Sequence, residues 1–142
     1  MKILSVDYGD SRTGIACCDE LEQLASPVCT LFEKRHDPLL QKIAALADEH
    51  AVGEIVVGNP LNMNGTAGPR SEMCAALADE LRERVTVPVT LWDERSTTVS
   101  AIGILNQADV RGKKRKAVID SVAAVLILES YLAYRKNKKT VH

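Results

Sequence analysis

The sequence predicts one α/β domain: a mixed five-stranded sheet, antiparallel through its first three strands and parallel after them, with helices on both faces. Three observations predict it. Three extended runs within residues 1–32 are separated only by short polar turns, which implies an antiparallel meander. From Asp37 onward the apolar positions follow helical spacing. Beyond that helix, short apolar strands alternate with helical segments, the pattern of parallel crossovers.

Residues 2–8 (K-I-L-S-V-D-Y) read as a strand, and Gly9, Asp10 and Ser11 make a turn. Residues 12–18 return as a second strand. Residues 23–32 give a third, where Pro27 marks an edge or bulged position. Asp37 is placed to cap a helix with Pro38 at its first position, followed by Leu39, Leu40, Ile43, Leu46 and Ala47. E-I-V-V-G at 54–58 is a short buried strand, and a loop follows over 59–69. A helix is expected over about 70–84, a strand over 88–92, and a polar turn at 93–96. Thr97 is a candidate cap for a helix to about 107. Residues 109–115 show no periodicity and are expected to form a mobile loop, and a last helix covers about 116–135. Residues 136–142 are expected to be a disordered basic tail.

The 142 residues suit one domain with a core that needs no staples. Aromatics are only 4%, which argues against a base-stacking platform. The net charge of −1 hides a division: residues 1–110 hold 9 Lys and Arg against 17 Asp and Glu, and residues 111–142 hold 9 against 2. A basic block such as R-G-K-K-R-K at 111–116 suits either a polyanion or a solvated face. For R-K-N-K-K at 135–139 the solvated tail is the better reading. Cys17, Cys18, Cys29 and Cys74 lack metal or redox spacing and read as reduced, and the three histidines are scattered. The apolar run at 122–128 is far too short to span a bilayer, and the first apolar run is broken by Asp7 and Asp10. A cytoplasmic protein with no membrane partner is expected.

Three acids stand out. Leu4, Val6 and Tyr8 alternate with Ile3, Ser5 and Asp7, so Asp7 ends its strand where ligands bind in open α/β sheets. A turn-forming Asp explains it equally well. Glu94 follows the strand at 88–92, or belongs to a solvated acidic turn. Asp120 shares a helix face with Ala123, Ala124, Ile127 and Tyr131, unless it merely pairs with Lys116. Three carboxylates converge only around positive charge. Hard divalent cations take oxygen ligands, and a pair of them is a common device for phosphodiester hydrolysis.

Four motifs occur in order: D-Y-G-x-x-R-x-G-x-A from Asp7, V-V-G-x-P-L-N-M-x-G-T over 56–66, D-E-R-x-T-T from Asp93, and K-K-R-K-x-x-I-D-S-V-A-A over 113–124. Together they resemble the YqgF (RuvX) family, over nearly the whole chain to about Tyr134. Members of that family are described as Holliday-junction resolvases and as nucleases that mature the 5′ end of pre-16S ribosomal RNA, on a ribonuclease H-like fold. The resemblance implies that Asp7, Glu94 and Asp120 are the metal-binding, catalytic carboxylates; two Mg²⁺ or Mn²⁺ ions are expected, and Asp7 is expected to bridge them. Arg12, Asn62, Arg95, Lys113, Lys114, Arg115 and Lys116 are the expected nucleic-acid contacts, and Gly9, Gly14 and Gly65 the loop-forming glycines. The sequence departs from the family pattern at Cys18, Asn59, Asn64 and Ser96, none of them an expected ligand.

The expected activity is hydrolysis in precursor rRNA, with resolution of branched DNA as the alternative. An actin-like ATP-binding protein is a rival, but that architecture needs two such lobes. A non-catalytic RNA-binding module is another, but three gathered acids would repel RNA. Val118, Val122, Val125, Leu126 and Leu132 give the last helix apolar surface that serves either a homodimer or the monomer core.

Overall fold

The computed structural model describes residues 1–61, 64–93 and 112–140, with side chains in the last span described for 122–137. Five strands form one sheet: β1 (Ile3–Asp7), β2 (Thr13–Cys18), β3 (Ala25–Leu31), β4 (Glu54–Asn59) and β5 (Val89–Asp93), in the order β3-β2-β1-β4-β5. β1 pairs antiparallel with β2, and β2 with β3. β1 pairs parallel with β4, and β4 with β5. The expected mixed sheet is therefore present, with β1 at its centre.

Pro27 falls where its lack of an N–H costs least. It lies on edge strand β3, and the register with β2 shifts between Ile15, opposite Cys29, and Ala16, opposite Pro27.

Helices α1 (His36–Glu49) and α2 (Pro69–Arg84) cover one face. Leu39, Leu40, Ile43, Leu77 and Leu81 are buried there against Leu4, Val6, Ile55 and Val57. Full burial of each such side chain contributes about 1.5–3 kcal/mol. Helix α3 (Gly112–Thr140) covers the other face, packing Ala124, Ile127, Leu128 and Tyr131 on Ile3, Ala16 and Val56. The face predicted to carry Asp120 is thus the one that meets the sheet.

The helix ends differ from expectation. The residue capping α1 is Arg35, and Asp37 lies within the first turn, where its carboxylate suits the macrodipole and accepts a bond from Arg84 at 3.0 Å. Pro38, the third helical residue, is tolerated in the first turn because the first N–H groups have no intrahelical acceptor. α2 follows expectation, with Gly68 at its cap and Pro69 at its first position.

Residues 112–115 and 136–140, expected to be irregular, are helical. Lys and Arg are strong helix formers, and a run of them extends a helix nucleated by packing elsewhere. Arg135, expected in a solvated tail, donates to Glu22 at 2.6 Å. The helix expected from Thr97 to about 107 lies outside the described residues. No helix among the described residues is long and apolar enough to cross a membrane. Leu126 and Leu132 are buried within the monomer, while Val122 and Val125 stay half-buried.

Candidate active site at the carboxyl edge of the sheet

β1 alternates as its sequence predicts. Leu4 and Val6 pack beneath α1 and α2, while Ile3 and Ser5 lie beneath α3. Asp7 has the parity of Ser5, so it leaves the last position of β1 on the α3 face, half-buried. Its neighbours across the ladders have no side chains. Gly14 of β2 stands opposite Asp7. The β1–β4 register pairs Val6 with Val57, so Gly58 is the next position of β4. Cross-strand Cβ atoms stand about 4.5–5.5 Å apart, so a side chain at position 14 would be the direct cross-strand neighbour of the carboxylate. Two glycines instead leave a backbone floor around an oxygen donor. Gly14, grouped with the loop glycines although it falls in the run expected to be the second strand, belongs to that strand.

Helix α3 is pinned to the same strand. The buried Ser5 hydroxyl donates to the Ala124 carbonyl at 2.7 Å. Tyr131 and Arg135, further along the helix, both bond Glu54 at the opposite sheet edge. The start of α3 is therefore directed towards the carboxyl edge. Position 120 precedes Ala124 by one turn, about 6 Å of helix rise. Asp7 follows Ser5 by two residues, about 6.6 Å of strand. The two backbone positions accordingly lie at one end and on one face.

The remaining expected site residues divide. Glu94, Arg95 and Asn62 lie outside the described residues, as do the side chains of Asp120, Lys113, Lys114, Arg115 and Lys116. Asp93, the neighbour of Glu94, ends β5 at the carboxyl edge and pairs with Asn59. Trp92 faces α3, packing its ring on Tyr131 at 5.2 Å. Positions 113–116 form the opening turn of α3. Among the described residues no three acids, cysteines or histidines gather closely enough to hold a metal, a set that leaves out two of the three expected ligands.

The glycines and asparagines around the edge have structural tasks. A Cβ on Gly9 would overlap the Arg12 carbonyl oxygen, so the β1–β2 turn closes only around glycine. Gly65 has φ of 86°, the left-handed conformation that favours glycine. Asn64 accepts from the Thr66 N–H at 3.1 Å and its hydroxyl at 2.7 Å, a self-capped turn. Asn59 accepts from the buried Ser71 hydroxyl at 2.5 Å, tying the end of β4 to α2.

Two features escape sequence reasoning. Arg70, at the start of α2, donates to Asp10 at 2.7 Å and to the Tyr8 carbonyl. Its signal is a cation in a helix's first turn, where the macrodipole disfavours positive charge. Glu54 is an acid only 6% exposed. It accepts from Thr90 at 2.9 Å and from the Tyr131 hydroxyl, with Arg135 3.5 Å away. Its signal was an acid at one end of an apolar strand; Asp7 ends its strand where Glu54 opens its own. Here the protein itself supplies the cation.

A family model described as "RuvX: Holliday junction resolvase" matches residues 1–134. The chain belongs to the RuvX family. Among similar RuvX-family proteins, one from Halothermothrix orenii is 44% identical over 135 residues, covering 95% of this chain and 96% of that one. One from Geobacillus kaustophilus is 46% identical over 134 residues, covering 93% and 97%. Both carry the name "Putative pre-16S rRNA nuclease". Two solved structures share the RuvX chain's fold at low identity. Thermus thermophilus RuvC in complex with a Holliday junction has a TM-score of 0.57 at 12% identity, covering 96% of each chain. The fowlpox virus Holliday junction resolvase has 0.56 at 14%, covering 94% of this chain and 99% of that one. The expected ribonuclease H-like fold is thereby borne out.

Proposed function

We propose that this RuvX-family protein is a divalent-metal-dependent endonuclease that hydrolyses phosphodiester bonds in structured RNA, at the 5′ end of pre-16S rRNA. The observation that carries this reading is the placement of Asp7. It is a half-buried carboxylate on a floor of two glycines, on the sheet face to which the Ser5–Ala124 bond fixes the helix bearing position 120. Relatives above 40% identity bearing the rRNA nuclease name support the choice of substrate.

Asp7, Glu94 and Asp120 would hold two Mg²⁺ or Mn²⁺ ions. The donor set is oxygen only, which suits hard cations. Gly14, opposite Asp7, puts no side chain beside it on the β2 side. Glu94 joins the set on the D-E-R-x-T-T motif, as the residue that follows Asp93 at the end of β5. When bound, such ions supply a water activated for in-line attack and charge stabilisation at the leaving oxygen.

The basic positions 113–116 in the opening turn of α3, with Arg12, Asn62 and Arg95, are the proposed contacts to the nucleic-acid backbone. Such contacts fix register on the substrate without reading sequence. The second reading, resolution of four-way DNA junctions, is favoured by the description of the family model. A dimer would suit it, since two symmetric sites cut two strands.

The test is cleavage of labelled precursor 16S rRNA and of a labelled four-way junction by the full chain, in Mg²⁺, in Mn²⁺ and in EDTA. Metal-dependent cutting of the RNA near the mature 5′ end is expected. Symmetric cutting of the junction alone would favour the second reading. Cutting undiminished by EDTA would overturn both.

A further inference from the structure

Arg70 stands at the second position of α2, against the helix macrodipole. The structure shows what holds it there. Its guanidinium lies over the Tyr8 ring, 5.8 Å from the centroid, and donates to the Tyr8 main-chain carbonyl. Both anchors belong to the residue next to Asp7. The third partner differs in kind. Asp10, at 2.7 Å, is 81% exposed, and Arg70 itself is 42% exposed. An ion pair so open to water adds at most about 1 kcal/mol to stability. Tyr8 therefore orients the guanidinium, and Asp10 is its replaceable partner.

We propose that Arg70 binds a backbone phosphate of the RNA substrate, and that the Asp10 carboxylate occupies that phosphate's place in the free protein. The guanidinium fork matches phosphate oxygens as well as carboxylate oxygens. Asp7 and Tyr8 leave the end of β1 on opposite faces. A strand lying across the carboxyl edge brings one phosphate to Asp7 and an adjoining one to Arg70. The proposal rests on the nuclease reading and adds a contact remote from the basic turn of α3.

The test is equilibrium binding of the labelled precursor RNA to the full chain, with Ca²⁺ replacing Mg²⁺, across a range of KCl. Arg70→Gln is expected to weaken binding about fivefold or more and to lower the slope of log K against log salt by about one. Arg70→Lys, which keeps the charge but loses the fork, should keep the slope and lose part of the affinity. Asp10→Asn should tighten binding, and that gain should vanish when Arg70→Gln is also present. Thermal melting of each variant separates these effects from loss of fold. If Arg70→Gln melts early, the Arg70→Lys and Asp10→Asn arms decide. Wild-type slope and affinity in Arg70→Gln, or an equal Asp10→Asn gain in both backgrounds, would overturn the proposal and leave the nuclease reading standing. A wild-type chain that binds no RNA would overturn both.

Discussion

At the scale of single residues, Gly9 is the most constrained position beside the site. Its missing side chain lets the chain reverse between β1 and β2, so Gly9→Ala must displace the Arg12 carbonyl. A loss of about 1–3 kcal/mol in urea unfolding is expected. The thiols of Cys17 and Cys18 are buried, and burial raises their pKa values. Alkylation of both should be slow in the native protein and fast after unfolding, as peptide mass mapping would read. Glu33 bonds Arg35 and Lys42, and these bonds lower its pKa to about 2. Its contribution to stability is present above the unfolded value near 4.3 and is lost as pH falls towards 2. Glu33→Gln should therefore flatten the acid limb of the stability curve between those values. How far such roles are legible in sequence depends on the range of the contact. Asp7 announces its face by the alternation of its own strand. Arg70 and Asp10 meet across 60 positions, and no local pattern pairs them.

At the scale of elements, two polar ties fix α3 on the sheet. Ser5 holds it near the proposed site, and Glu54 with Tyr131 holds it at the far edge. Tyr131→Phe removes a donor from a buried carboxylate and should cost about 1–3 kcal/mol in denaturant unfolding. Ser5→Ala should cost about 1 kcal/mol and also raise the Mg²⁺ concentration needed for half-maximal cleavage, because it loosens the helix that carries position 120. Equal Mg²⁺ requirements in wild type and Ser5→Ala would limit that bond to stability. Strand and helix types were legible because apolar periods of two and 3.6 differ plainly. The ends of α3 were not. Its outer turns are basic and lack an apolar stripe, so periodicity is silent where propensity decides. The role of Glu54 was hidden for another reason. An acid at a strand end reads alike whether its cation is a metal or an arginine 81 positions away.

At the scale of the molecule, charge is divided along the chain. Acids dominate residues 1–110 and bases residues 111–142. The fold returns the start of that basic segment to the carboxyl edge, because α3 begins on the side of the sheet where β1 ends, while Arg135 lies at the opposite edge. In the proposed function, an acidic centre beside a basic helix start would grip a polyanion and cut it. The topology was legible because three strands joined by tight turns must pair antiparallel, and strands joined through helices pair parallel. The proposed gathering of Asp7, Glu94 and Asp120 is argued from the family motifs and from the placement of β1, β5 and α3. The central claim is that these acids share divalent ions. Its most direct measurement is single-turnover cleavage of precursor 16S rRNA in Mn²⁺ by wild type and Asp7→Asn, with circular dichroism on both. The account predicts native spectra for both and a loss of at least about a thousandfold in rate for the variant, on the scale of removing a principal catalytic group. Equal rates in two folded proteins would contradict it.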